Sequence, residues 1–519
     1  MAFNAITKSN PHAVVAIPPV CDFYFTRHRF SSLGALILCD ILSENGLKVS
    51  FRNFPLQCKK GNRLSVPSGI SYLEKFIIPE ETGKLSYFTK YQRFGPSPED
   101  CARDIESLHP DILFIGCFAF SYGLQAIELA RAVKKILPML PVVTGGGGPS
   151  AYPQYFIEDS AMDFVITGEA EVSVKIFLKA ICNSVNYREV PNLVWKENDR
   201  IEFSPVNKST ETDEIKINIS KNSTIIKSLY LSTSVTRGCN KGCRFCSNFL
   251  VHGKIFKKPD INAIKEALNK LSLDNIFPNY RTVINFEDDN LLLDPDYFFK
   301  VIDMFIEKSG EVSFSAENGI DYTLLSPDIV KRLITYGMHQ FNLSLASIDP
   351  DILKRQNRPL QLDHFKKMVK LIAGYSIPVI TYFICGFEDD TIETVAGNLA
   401  FLFCQPTLIG ISPFYAVPGT GDFENKIFDC LPSYCCNGSS AYPWKKSLST
   451  KTMITAFRLS RYCNLVKQKT HSREEEIILN KINGEKKLYT FIKSNKKIIP
   501  VPVENMDEEL IKLFFSHCS

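Results

Sequence analysis

Cys239, Cys243 and Cys246 stand at i, i+4 and i+7 in the string TRGCNKGCRFCSNF, residues 236–249, on a glycine-containing loop after a strand-like run. Thiolates are soft, strong ligands for iron, and four of them normally saturate a [4Fe–4S] cluster. Three therefore leave one iron open for a cofactor or substrate. Structural zinc is the competing use of such thiols, but it asks for four protein ligands, commonly as two separated pairs. A fourth donor is not evident nearby, although the spacing allows His252, six residues past Cys246. Inert buried thiols are disfavoured by the polar character of the loop, and the spacing favours iron–sulfur over zinc.

The chain of 519 residues exceeds what one hydrophobic core usually organises, so two or three domains are expected. With 45% hydrophobic and 22% charged residues it is an ordinary folded protein, and 60 Lys+Arg against 56 Asp+Glu leave a formal charge of only +4. That balance gives no reason to expect a nucleic-acid or membrane partner. The first twenty residues lack the pattern of a secretory signal, and the sequence has no run of about 18 apolar residues, so a cytoplasmic protein is expected. Sixteen cysteines in such a chain suggest metal or thiol roles for a few and burial for the rest.

The elements that must position the thiols fall into two alternating series. In the first, strands at 13–20, 47–54, 111–119, 141–148 and the start of 162–181 alternate with amphipathic helices at 31–46, 124–137 and the end of 162–181. This pattern predicts an open parallel sheet with its ligand crevice at the carboxyl ends of the strands, where Gly145, Gly146, Gly147, Gly148, Gly168 and Glu169 fall. A GxGxxG turn is missing from the first strand–helix junction, which argues against an ordinary dinucleotide fold. Two short strands follow at 190–210, and a connector without clear periodicity occupies about 205–228. The second series has strands at 282–288, 311–317, 340–347 and 377–386 and helices at 261–271, 296–308, 326–337 and 362–375, which predicts a closed or partly closed α/β barrel. A helix around 450–466 and a lysine-rich end complete the chain.

The segment CNKGCRFC, with Phe245 before its third cysteine, resembles the CxxxCxxC motif of the radical S-adenosylmethionine (SAM) superfamily. The resemblance runs through NFEDDN (285–290), SLASIDPDILKRQNR (344–358), ICGFEDDT (384–391) and SPFYAVPGT (412–420). It implies that the three cysteines hold three irons of a [4Fe–4S] cluster while SAM chelates the fourth. It also implies that Phe245 lies by the adenine, that Glu287 and Asp288 face the SAM amino group, and that the Gly386 turn approaches the adenine. Ser347 and Glu317 are further polar candidates, with Ala346 where the family commonly has Glu.

The region before the barrel resembles the cobalamin-binding domain that precedes many radical SAM barrels, and its glycine turns and Glu169 would border the corrin or its nucleotide tail. The DxHxxG signature of a lower axial histidine is absent, and His28 has the wrong surroundings to replace it. The expected architecture is α/β: a Rossmann-like cobalamin-binding-type domain at 1–195, a connector at 196–229, a radical SAM partial α/β barrel at 230–425 and a mainly helical C-terminal region at 426–519. The expected activity is cobalamin-dependent methylation of an unactivated carbon in a small molecule or peptide, with an external one-electron reductant such as flavodoxin or ferredoxin. Alternatives are a cobalamin-free radical SAM enzyme, a cobalamin-dependent rearrangement, cyclisation or oxidation, and a metal-stabilised interaction protein. Methylthiotransfer is a further alternative, through an extra cluster on Cys21, Cys58 and Cys117, whose flanks do not match that family. Cys435 and Cys436 are expected to be structural thiols.

Overall fold

In the computed structural model the described residues are 10–77, 85, 90–182, 185–198, 200–206, 211–225, 228–271, 281–309, 312–421, 423, 428–468, 478–482, 485–494, 497–502 and 505–518. The chain forms two compact units, one from residues 1–63, 92–313 and 417–436, the other from 64–91, 314–416 and 437–519. The first unit thus joins the entire N-terminal sheet to the cysteine loop. Parts of the expected connector and of the lysine-rich end, 207–210, 226–227 and 469–477, lie outside the described residues.

The N-terminal sheet has seven strands in the order Arg200–Phe203, Leu193–Glu197, Phe164–Ile166, Val142–Gly145, Ile112–Gly116, His12–Ile17, Lys48–Asn53. Five run parallel, and the Leu193–Glu197 and Arg200–Phe203 pair adds an antiparallel edge. Val14, Val15, Ile112, Leu113, Val142 and Val165 are fully buried, as strands covered on both faces require. The order reverses between His12–Ile17 and Ile112–Gly116, which makes the carboxyl end of that pair the crevice of the sheet. Helices Leu33–Glu44 and Ala170–Ile181 pack on one another and close one face through Ile37, Ile41, Val174 and Phe177.

The glycine run at the end of Val142–Gly145 has a packing reason. Gly146 has φ +113°, and a Cβ there would lie 2.6 Å from the carbonyl oxygen of Cys117. A Cβ on Gly147 would lie 2.5 Å from that of Phe118, and one on Gly148 2.8 Å from Cys117 Sγ. Glycine is what lets the loops after two adjacent strands lie backbone against backbone. The Ser150 hydroxyl then ties this turn to the next: it donates to the Gly146 carbonyl at 2.7 Å and accepts from the Gly168 amide at 2.8 Å.

The four strands of the second series appear as Arg281–Phe286, Val312–Ser315, Phe341–Ala346 and Val379–Cys385, with Ser228–Thr233 before them and Leu408–Pro413 after, in a four-stranded and a three-stranded sheet. A strand at Ile219–Ile225, antiparallel to Ser228–Thr233, was hidden by its polar composition and a bulge between Lys221 and Ser223 that breaks the alternation. The helix Ile392–Phe403 was also missed, because it is apolar around much of its circumference and carries Gly397; Thr391 and Thr394 form its capping box. In the second unit, Asn464 on the helix Thr450–Gln468 covers the edge of Leu408–Pro413, accepting from the Ile409 amide and donating to its carbonyl. Lys467 donates to the carbonyls of Leu402, Gln405 and Thr407, and burial pushes its pKa down to about 8. The C-terminal region holds the helices Thr450–Gln468 and Glu508–Cys518 together with a three-stranded antiparallel sheet, Ile478–Ile482, Glu485–Ser494 and Lys497–Pro502.

Replacing Gly146 by Ala should lower stability by about 1–3 kcal/mol through the left-handed φ and the clash with Cys117. The check is the denaturation midpoint beside that of Gly34→Ala, where a Cβ meets open space.

Candidate active site

The cysteine loop leaves the strand Ser228–Thr233 and is held from below by the segment that leaves the neighbouring strand Arg281–Phe286. One oxygen of Asp288 accepts from the amides of Val235 at 3.0 Å and Thr236 at 2.6 Å and from the Thr236 hydroxyl. Asp289 accepts from the Gly238 amide at 2.8 Å and the Asn248 side chain at 2.6 Å. Asn290 donates its side-chain amide to Cys239 Sγ at 3.7 Å. Three consecutive residues therefore grip the loop on both sides of its thiols. Gly238, with φ +75°, must be glycine because a Cβ would lie 2.1 Å from the carbonyl of Ile255, on the hairpin where Arg237 and Lys257 exchange backbone bonds.

Cys239, Cys243 and Cys246 form no disulfide and are half-buried. Burial pushes Cys246 up to about 11, with Asp289, Cys243 and Cys239 adding to it, so the three thiols share one electrostatic neighbourhood. Among the described residues no group of three or more His, Cys, Asp or Glu converges as ligands of a single metal ion. Three thiols on one braced loop could each serve a different iron of a cluster. His252, the fourth donor that spacing allowed for zinc, is engaged elsewhere: its Nδ1 lies 2.8 Å from Glu169 Oε1.

Glu169, at the N-terminus of the helix Ala170–Ile181, is the centre of a buried ion cluster. Lys257 donates to its Oε2 at 2.9 Å, and Arg237 lies 3.9 Å from its Oε1 and 3.3 Å from Glu171 Oε1. The Lys257 and Glu169 side chains are 8% and 3% exposed. Removing one partner of such a pair leaves an uncompensated buried charge, which costs about 3–5 kcal/mol. The sequence placed Glu169 in the crevice; the partners its carboxylate has there come from the chain on either side of the cysteine loop.

Between this cluster and the carboxyl ends of the parallel strands lies a cavity of about 400 Å³. Its deep wall is apolar, with Val15, Phe114, Val143 and Ile166 from the sheet and Ile37 and Val174 from the two covering helices. Its rim carries Ser31, Gly145, Gly146, Gly147, Gly168, Glu169, Arg237, His252, Glu287 and Asp289. Gly148 is buried and faces Cys117 and Ala119. Glu287 accepts from the Ser31 hydroxyl and lines this cavity, whereas Asp288 is buried with its Oδ2 unpartnered. Burial raises Asp288 to about 7 against the hydrogen bonds of Thr236 and Val235. An apolar wall with a few convergent polar groups at the rim is the make-up of a small-molecule or cofactor site. His28 lies in the short turn Arg27–Arg29. Cys117 is buried with its thiol on the Ala119 carbonyl, Cys21 sits on the strand Val20–Asp22, and Cys435 and Cys436 are buried.

Glu317, Ser347 and Gly386 belong to the second unit. Ser347 is fully buried, and its hydroxyl oxygen accepts from the Asp349 amide and the Asn398 side chain. It follows Ala346, whose φ of +69° lies at a bulge in the strand, a strain typical of functional strand ends. Gly386, with φ +114°, opens a turn in which Asp390 accepts from the Gly386 and Phe387 amides. The sequence missed Asp289, Asn290, Ser150, Arg237 and Lys257 as site-building residues; the acidic run EDDN after a strand was the available signal for the first two.

Residues 233–402 match the Radical SAM superfamily. The chain is 27% identical over 194 residues to a bacteriochlorophyllide d C-12(1)-methyltransferase of Chlorobaculum tepidum, a match covering 36% of this chain and 41% of that protein. It is 21% identical to a hopanoid C-3 methylase of Methylococcus capsulatus over 69% and 71% of the respective chains. The chain thus spans less than half of the bacteriochlorophyllide enzyme. Among solved structures, the radical SAM methyltransferase TsrM of Kitasatospora setae, with cobalamin and a [4Fe–4S] cluster bound, superposes with a TM-score of 0.57 at 12% identity, covering 79% of this chain and 76% of that one. The cobalamin-dependent radical enzyme OxsB, with aqua-cobalamin and SAM bound, gives 0.56 at 14% identity over 92% and 63%. These likenesses establish a radical SAM domain joined to a domain with the fold of the cobalamin-binding enzymes.

Asp288→Ala should leave the Val235 and Thr236 amides without their acceptor, about 1–3 kcal/mol for each buried donor, and lower the iron bound after anaerobic reconstitution. Asp390, raised by burial to about 6 from 3.8, holds its proton more tightly in the folded state. Its contribution is therefore greatest below about pH 4 and is lost as pH rises through about 6. Denaturation midpoints near pH 5 and pH 7 should fall with pH in the parent relative to Asp390→Asn.

Proposed function

The chain carries a radical SAM domain joined to a domain of the cobalamin-binding fold, and we propose that it is a cobalamin-dependent radical SAM methyltransferase acting on a poorly nucleophilic carbon of a small molecule or peptide. One observation carries this reading: a single compact unit holds both the braced three-thiol loop and the apolar cavity at the carboxyl ends of the parallel strands. When bound, the cluster supplies the electron that cleaves SAM, and the corrin supplies a carrier for the methyl group.

The residues of the chain do the positioning. Cys239, Cys243 and Cys246 hold the cluster, and Asp288, Asp289 and Asn290 fix the loop that presents them. In the first unit, Phe245 and the unpartnered Oδ2 of Asp288 are assigned to SAM. Glu287, bonded to Ser31 on the cavity wall, is assigned to the corrin side. Gly145, Gly146, Gly147 and Gly168 keep the cavity rim free of side chains, and the apolar wall and polar rim of this cavity would hold the corrin. The barrel must keep water from a radical able to abstract an unactivated hydrogen.

Sixteen cysteines without a disulfide suit a reducing cytoplasm in which flavodoxin or ferredoxin donates the electron. Among the described residues no helix is long and apolar enough to cross a membrane. The chemistry named for the relatives, methylation of hopanoids and bacteriochlorophyllides, supports methyl transfer as the outcome and leaves the substrate of this chain to experiment.

Anaerobic protein reconstituted with iron and sulfide, then given dithionite and SAM, should release 5′-deoxyadenosine and retain cobalamin through gel filtration. Cys243→Ala should abolish the first and keep the second. Absence of retained cobalamin would remove the methyltransferase reading, and absence of SAM cleavage would remove the radical reading.

A further inference from the structure

The grip on the cysteine loop is chemically uneven. Asp288 and Asp289 take backbone and side-chain N–H and O–H groups at positions 235, 236, 238 and 248, whereas Asn290 alone of the three reaches a thiol. The Asn290 side chain is buried, its residue 6% exposed, and its Nδ2 stands 3.7 Å from Cys239 Sγ. A carboxylate here would face the thiolate with like charge. An amide presents a neutral N–H donor instead.

We propose that Asn290 is a positioning residue that sets the reduction potential of the cluster through its N–H···S bond to Cys239. The inference rests on the assignment of Cys239, Cys243 and Cys246 as cluster ligands. Reduction of the cluster takes up one electron from an external one-electron donor, with no bond made or broken and no proton moved. Much of the added charge resides on the sulfurs, so a donor aimed at a ligand sulfur stabilises the reduced state more than the oxidised one and raises the potential. Buried in low dielectric, this single bond acts more strongly than an exposed one would. Asn290 thereby eases the electron uptake that precedes SAM cleavage.

The test is an anaerobic redox titration of reconstituted wild type, Asn290→Leu, Asn290→Asp and Asn290→Ser, followed by the EPR signal of the reduced cluster, with iron and sulfide measured in each. Asn290→Leu should hold a full cluster with a more negative midpoint, so that the ratio of reduced to oxidised cluster at the wild-type midpoint falls several-fold. Asn290→Asp, with the same shape, should shift it further in the same direction and carries the test if the leucine variant loses iron. Asn290→Ser, which keeps a donor, should lie between wild type and Asn290→Leu. Equal midpoints in fully loaded wild type and variants would overturn the inference. A wild type that binds no iron would instead overturn the cluster assignment on which it rests.

Discussion

The bonds from Asp288 and Asp289 to the backbone beside the thiols are the constraint on which the rest of the site depends. A loop carrying three thiols has little reason of its own to hold one shape, since its amides need acceptors. Asp288 meets the loop where it leaves the strand, Asp289 meets it at Gly238 just before Cys239 and again at Asn248 just after Cys246, and Gly238 allows the close approach to Ile255. These bonds hold the shape of the loop that presents the three thiols.

A second joint ties that loop to the N-terminal sheet. Arg237, His252 and Lys257 flank the cysteines in sequence and converge on Glu169 at the start of a helix that covers the sheet. Buried charges of both signs are costly apart and tolerable together. The effect of the network is to make the cavity rim and the cysteine loop parts of one compact unit.

Much of this was legible in the sequence. The spacing of Cys239, Cys243 and Cys246 marked the candidate metal site, and alternating strands and helices placed the crevice at Gly145–Gly148 and Gly168. The reasons behind those positions were less legible. The glycines permit backbone packing against Cys117 and Phe118, a tertiary contact that no local pattern encodes, and Glu169 spends its carboxylate on an ion cluster whose cations lie more than sixty residues away in sequence. An acidic run such as EDDN resembles a hydrated strand end until its acceptors are seen to face a particular loop. Polar strands with a bulge, such as Ile219–Ile225, and apolar helices with an internal glycine, such as Ile392–Phe403, lack the periodicity by which their neighbours were found.

The most direct test of the account is the EPR spectrum of the dithionite-reduced, iron-loaded protein before and after SAM is added. The account predicts the signal of a reduced [4Fe–4S] cluster whose g-values change when SAM occupies the iron left open by three cysteines. Stoichiometric tetrahedral zinc at Cys239, Cys243 and Cys246, or a cluster signal that SAM leaves unchanged, would contradict it.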